Sequence, residues 1–82
     1  MDLLAEIEGH VREYVEGRRT VQDLHFELAA FVQDVADSDD ERVQRLDGLA
    51  WLLISEFSDG HRTEDEVKAQ LAAELERLTV AP

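Results

Sequence analysis

The residues best placed for chemistry are acidic, and they are concentrated between positions 34 and 41. Five of these eight residues are carboxylates, and the stretch contains no Lys or Arg. The five are Asp34, Asp37, Asp39, Asp40 and Glu41. The negative electrostatic potential of such a run attracts basic proteins and repels nucleic acid and anionic membranes. Charge runs are usually solvated loops, but repulsion among five uncompensated acids costs stability, which favours a functional role for this run.

Three apolar residues fall outside the helical stripes that would form a core. On a helical wheel Phe26 and Leu52 point away from that core, whereas the position of Trp51 is compatible with either burial or exposure. Exposed aromatic residues beside charges are typical of protein–protein hot spots. We therefore predict a partner-binding surface of eight residues: Phe26, Asp34, Asp37, Asp39, Asp40, Glu41, Trp51 and Leu52.

The remaining reactive side chains do not form a catalytic or metal-binding pattern. His10, His25 and His61 lie on separate segments, and none has a ligand partner at the spacing of a helical metal motif. The chain has no Cys, no nucleophile elbow and no phosphate-binding loop. We expect no catalytic residue, no metal and no cofactor, and hence a protein that is not an enzyme.

Size and charge limit the remaining possibilities. The chain has 82 residues, a hydrophobic content of 44% and a net charge of −12, which predict one folded domain over 1–82. Eight Lys and Arg against twenty Asp and Glu provide no basic patch for direct nucleic-acid binding. The longest apolar run, residues 49–54, is too short to span a membrane, so a cytoplasmic protein is expected.

Apolar spacing and capping residues predict four helices that position these groups. Their approximate bounds are 3–16, 21–36, 40–58 and 64–78, with Ser38 or Asp39 as the cap of the third. The third helix is the most apolar and should be the centre of the core, while Val32 should face inward from the second. Short connections predict an all-α fold, a four-helix antiparallel bundle built from two helical hairpins.

The two hairpins also resemble each other in sequence. A shift of 43 residues superimposes Gly17, Arg19 and Thr20 on Gly60, Arg62 and Thr63. The shared unit is a helix, a Gly-x-Arg-Thr turn and a second helix. Either an internal duplication or the general likeness of capped amphipathic hairpins accounts for this repeat.

The order of these residues resembles a known group of proteins. Tyr14 is followed by Gly17, Arg19–Thr20, Asp23–Leu24, Phe26 and Leu28, and then by an acidic loop and an apolar third helix. This pattern resembles small, acidic, helical bacterial immunity proteins of the colicin-D-like and contact-dependent-inhibition types. The resemblance implies an inhibitor that masks the basic active site of a cognate toxin nuclease.

Two other functions remain open at this level. Carboxylates spaced like phosphates would make the chain a mimic that inhibits a nucleic-acid-binding or defence protein. Exposed Phe26 and Leu52 would suit a structural protein that associates with itself, for example as a homodimer.

Overall fold

Five helices form the part of the chain that the structure, a computed structural model, describes, namely residues 2–80. They are α1 (Leu3–Val15), α2 (Val21–Ala29), α3 (Val32–Ala36), α4 (Glu41–Ser58) and α5 (Glu64–Val80). Residues 2–80 contain no β-strand, which confirms the prediction of an all-α protein. Residues 1, 81 and 82 of the predicted domain lie outside the described part.

The prediction of one helix over 21–36 is wrong, because the chain turns between α2 and α3. The amides of Ala30 and Phe31 donate to carbonyls three residues earlier, those of Glu27 and Leu28, at 3.2 and 3.0 Å. Phe31 also leaves the helical region of backbone space, with φ −103° and ψ 4°. These tight hydrogen bonds end α2, and α3 begins after two intervening residues, at Val32.

This break also corrects the predicted orientation of Val32. Val32 was expected to face inward, but 56% of its surface is exposed. Val35, which was also predicted to face inward, is buried, on the short α3 that packs against α4. A wheel drawn through residues 21–36 as one helix could not separate these two valines, since the break resets the helical phase.

The core lies where α1 and α4 meet each other and their neighbours. α1 packs against α2, α4 and α5, and α4 packs against α2, α3 and α5 as well. The largest fully buried side chains are Tyr14, Ile7, Leu24, Leu28, Leu46, Leu53 and Leu71. The predicted central role of the third helical segment is therefore shared equally with α1.

The two Gly-x-Arg-Thr turns have the same backbone geometry. Gly17 and Gly60 have positive φ angles of 86° and 77°, which favour glycine. In each turn the glycine amide donates to the carbonyl three residues earlier, and the next amide donates to the carbonyl five residues earlier. This pattern is the Schellman ending of a helix.

Each turn leads directly into a capping box. The Thr20 hydroxyl accepts from the Asp23 amide at 3.1 Å, and Asp23 accepts in return from the Thr20 amide at 3.0 Å. Thr63 and Glu66 make the same reciprocal pair at 3.2 and 2.9 Å. The sequence repeat thus corresponds to a repeat of local structure, since the same residue types satisfy the same terminal amides.

Candidate protein-binding surface

The acidic run forms α3, the turn after it and the beginning of α4. Asp40 is the N-cap of α4, and its carboxylate accepts from the Arg42 amide at 2.9 Å. The expectation that Ser38 or Asp39 would cap this helix is therefore wrong. Ser38 has a supporting role, because its hydroxyl accepts the Asp40 amide at 3.1 Å and fixes the backbone that places the cap.

Asp40 is also the one acid of the run with an ion-pair partner among residues 2–79. Arg42 lies 2.8 Å from its carboxylate, and the hydrogen bonds from Arg42 hold the pKa of Asp40 below its usual value. The pair is exposed to solvent, so it adds little to stability. Its main effect on the surface is to neutralise one of the five negative charges.

The other four acids of the run make no ion pair within the described side chains. Asp34, Asp37, Asp39 and Glu41 are all exposed. One of them, Asp37, accepts a hydrogen bond from the side-chain amide of Gln33 at 3.1 Å, which leaves its charge uncompensated. Four negative charges therefore lie uncompensated within eight residues of chain.

The protein's arginines are paired mainly with acids elsewhere. Five of the six arginines that form ion pairs contact carboxylates outside residues 34–41. These five are Arg18, Arg19, Arg45, Arg62 and Arg77. These arginines therefore leave the acids of residues 34–41 uncompensated, apart from Asp40.

A glutamine side chain holds this run in place, and the sequence analysis missed it. The Gln44 side-chain amide on α4 donates to the carbonyl of Val35 at 2.6 Å and to that of Ser38 at 3.1 Å. These bonds tie the end of α3 and the following turn to the first turns of α4. The signal available in sequence was a lone Gln just inside a capped helix, which does not reveal a distant carbonyl partner.

The predicted apolar residues differ in exposure. Phe26 is 81% exposed and Leu52 is 55% exposed, so both lie at the surface as expected. Trp51, whose position the sequence left open, is partly buried. Its indole meets the His25 ring of α2 edge to face, with 5.0 Å between ring centroids.

A buried carboxylate lies beside Trp51, and the sequence analysis did not single it out. Asp47 is one helical turn earlier on α4 and has only 9% of its surface exposed. Burial raises the pKa of Asp47, and hydrogen bonding by the Trp51 side chain opposes that shift. Its Oδ1 atom nevertheless has no hydrogen-bond partner. A buried acceptor left without a hydrogen bond costs about 1–3 kcal/mol, so the burial of this carboxylate lowers the stability of the folded protein.

A separate cleft of about 480 Å³ lies between α1 and α2. His10 Nδ1 is 2.9 Å from Glu27, and Arg19 lies 3.4 Å from the same carboxylate. The His10 ring also packs near Phe31, at 5.5 Å between centroids. These contacts join two helices, as expected for a histidine used in packing.

The described residues do not assemble a metal site or a membrane-crossing helix. Side chains of residues 2–79 include no cluster of three or more His, Asp or Glu that could hold a metal ion. Within residues 2–80, every helix falls short of the length and apolar character needed to cross a bilayer.

The structure therefore groups the predicted residues into separate regions. The five acids lie within eight residues of chain, on α3, the turn after it and the beginning of α4. Trp51 instead lies beside His25 and Asp47. Phe26 and Leu52 lie on the outer sides of α2 and α4. Comparisons with protein families, curated proteins and solved structures found no match to this chain.

Proposed function

We propose that this protein binds a basic protein partner through the acidic run at residues 34–41. The observation that carries the proposal is that four of its five carboxylates are exposed and make no ion pair, while five arginines pair with acids outside the run. Mutual repulsion among these acids weakens the fold, whereas a basic partner would compensate it. Complementary charge would also accelerate association and make it sensitive to salt.

The most specific form of this proposal is an immunity-type inhibitor that masks the basic active site of a toxin nuclease. Gln44 supports it, because a carboxylate surface held by side chain-to-backbone bonds loses less conformational entropy on binding. Phe26 supports it as an exposed aromatic anchor. We further propose a cytoplasmic location and an antiparallel bundle in which α2 and α3 together occupy the place of one helix.

The decisive test takes a basic protein encoded beside this chain, which the proposal expects to be a nuclease, and measures its binding and its inhibition. Affinity should fall at least tenfold between 50 and 500 mM NaCl. At a single salt concentration, the triple variant D34N/D37N/D39N should bind at least tenfold more weakly than the wild type. The matched control is D59N/D65N/E76Q, which removes three exposed charges elsewhere and should bind almost normally. If both triple variants lost the same affinity, the effect would depend on net charge alone. That result would contradict binding through residues 34–41.

Self-association through Phe26 and Leu52 is the second candidate, because both side chains are exposed. Two copies would each carry a net charge of −12, so their repulsion favours the basic partner instead. Sedimentation at rising salt distinguishes the two. A dimer that appears as repulsion is screened, and that disappears in F26S/L52S, would support self-association.

A further inference from the structure

The α2–α4 seam, formed by His25, Asp47 and Trp51, combines three observations that the fold alone does not explain. Asp47 is more than nine-tenths buried and has an oxygen without a donor. Trp51 above it remains partly exposed even though it is the largest apolar side chain of α4. His25 contacts Trp51 but makes no hydrogen bond to Asp47 within the described side chains.

We propose that this seam receives an arginine side chain of the partner, whose guanidinium pairs with Asp47 and lies against the Trp51 indole. The inference rests on the proposed function, since it requires a basic protein partner. Arginine fits better than lysine because its planar fork can bond both carboxylate oxygens and also stack on an aromatic face. Tryptophan gives the strongest attraction for a cation among the aromatic side chains.

The surrounding charges favour a cation from outside the chain. The arginine nearest in sequence, Arg45, is already bonded to Glu74 of α5 at 3.1 Å. No charged side chain contributes to the pKa shift of Asp47, so its carboxylate has no internal counter-ion. Because Oδ1 is shielded from water, a guanidinium reaches it only when the side chains that cover it move.

The test uses Trp51 itself as the reporter, because it is the only tryptophan in the chain. The probe is the blocked tripeptide acetyl-Gly-Arg-Gly-amide, and its uncharged counterpart carries citrulline in place of arginine. Trp51 fluorescence in 150 mM NaCl should respond saturably to the arginine peptide and at least tenfold more weakly to the citrulline peptide. Equal responses to the two peptides would overturn the proposal.

Two variants separate a specific pair from general attraction to an acidic protein. D47N should weaken arginine-peptide binding at least tenfold, whereas D59N, which removes one exposed charge, should change it less than twofold. Binding that is unaffected by D47N, or weakened equally by both, would overturn the proposal. Circular dichroism checks that each variant is folded.

A measurement on the unmodified protein keeps the proposal testable should D47N not fold. The side-chain carboxyl ¹³C resonance of Asp47 should move on addition of the arginine peptide and stay fixed with the citrulline peptide. Movement confined to Asp34, Asp37 and Asp39 would overturn the seam as the site. The proposed function fails on a different result, normal nuclease binding by D34N/D37N/D39N, so the two failures are distinguishable.

Discussion

The hydroxyl of Tyr14 donates a hydrogen bond to the carboxylate of Glu64 at 3.2 Å, which joins the end of α1 to the beginning of α5. This bond places the α1–α2 turn beside the α4–α5 turn. The acidic run lies near the opposite end of α1, where Leu3 and Glu6 line a cleft with Asp34 and Ser38. The two arginine-containing turns therefore lie at one end of the molecule and the acidic run lies at the other.

Replacing Tyr14 by Phe should test how strongly that bond joins the two hairpins. The ring is fully buried, and Phe retains its packing and the contact with Lys68, whose Nζ lies 5.3 Å from the ring centre. Loss of the hydroxyl alone should lower the free energy of unfolding by about 1 kcal/mol. Urea denaturation at pH 7 measures this change, and an unchanged midpoint would show that the bond contributes nothing.

The same tyrosine predicts an alkaline limit to stability. Burial, and then the Glu64 carboxylate, raise the pKa of Tyr14 well above its ordinary value. The protonated phenol is therefore favoured in the folded state, and its contribution is complete below the unfolded pKa near 10. Stability should fall above about pH 10 more steeply in the wild type than in Tyr14→Phe. Parallel pH profiles for the two proteins would contradict the assignment.

Glu74 should stabilise the α4–α5 pair through its two arginines. It is only 6% exposed, and it accepts from Arg45 and Arg77, each at 3.1 Å. Glu74→Gln should lower the free energy of unfolding by about 1–2 kcal/mol at pH 7, because charge-assisted hydrogen bonds are lost. The exposed neighbour provides the control, since Glu76→Gln should change stability by less than about 0.5 kcal/mol.

The pH dependence of that difference follows from the same contacts. Hydrogen bonding from Arg77, followed by the charge of Arg45, lowers the pKa of Glu74. Its stabilisation is present above the unfolded pKa near 4.3 and is lost as pH falls through the lower folded pKa. Thermal unfolding should therefore show the wild type and Glu74→Gln converging in strongly acidic solution. A constant gap would point to packing instead of charge.

Asp47→Asn should make the isolated protein more stable at neutral pH. Burial raises the pKa of Asp47, so the folded state disfavours its ionised form. The stability associated with the protonated form is present below the unfolded pKa near 3.9 and is lost as pH rises through the folded pKa. The neutral amide should gain up to about 1 kcal/mol at pH 7 and little near pH 3. A loss of stability at pH 7 would show that the folded state favours the ionised carboxylate and would contradict the prediction.

Alanine substitution should have opposite effects on stability at different glycines. Gly17→Ala and Gly60→Ala should each destabilise by about 1 kcal/mol, because alanine is strained at their positive φ angles. Gly48→Ala is the matched control, since an added Cβ meets no atom within 4 Å and the residue is inside α4. It should stabilise by about 0.5–1 kcal/mol. Chemical denaturation of the three variants checks both signs.

Sequence periodicity located most of the fold because capping and burial leave local signals. Gly17, Thr20, Gly60 and Thr63 marked two helix ends and two helix starts, and each mark is matched by hydrogen bonds in the structure. The break before α3 left no such mark. Ala30 and Phe31 are compatible with a continuing helix, so only tertiary packing decided where that helix ended.

The sequence by itself determined the all-α class, the turn chemistry, the charge of residues 34–41 and the exposure of Phe26 and Leu52. These properties depend on neighbours within a few residues or on total composition. Only the tertiary structure decided that Gln44 holds the acidic run, that Asp47 is buried beside Trp51, and which carboxylates retain no arginine. Those outcomes depend on which helices meet, because an ion pair or a buried unpaired oxygen is a property of two surfaces brought together.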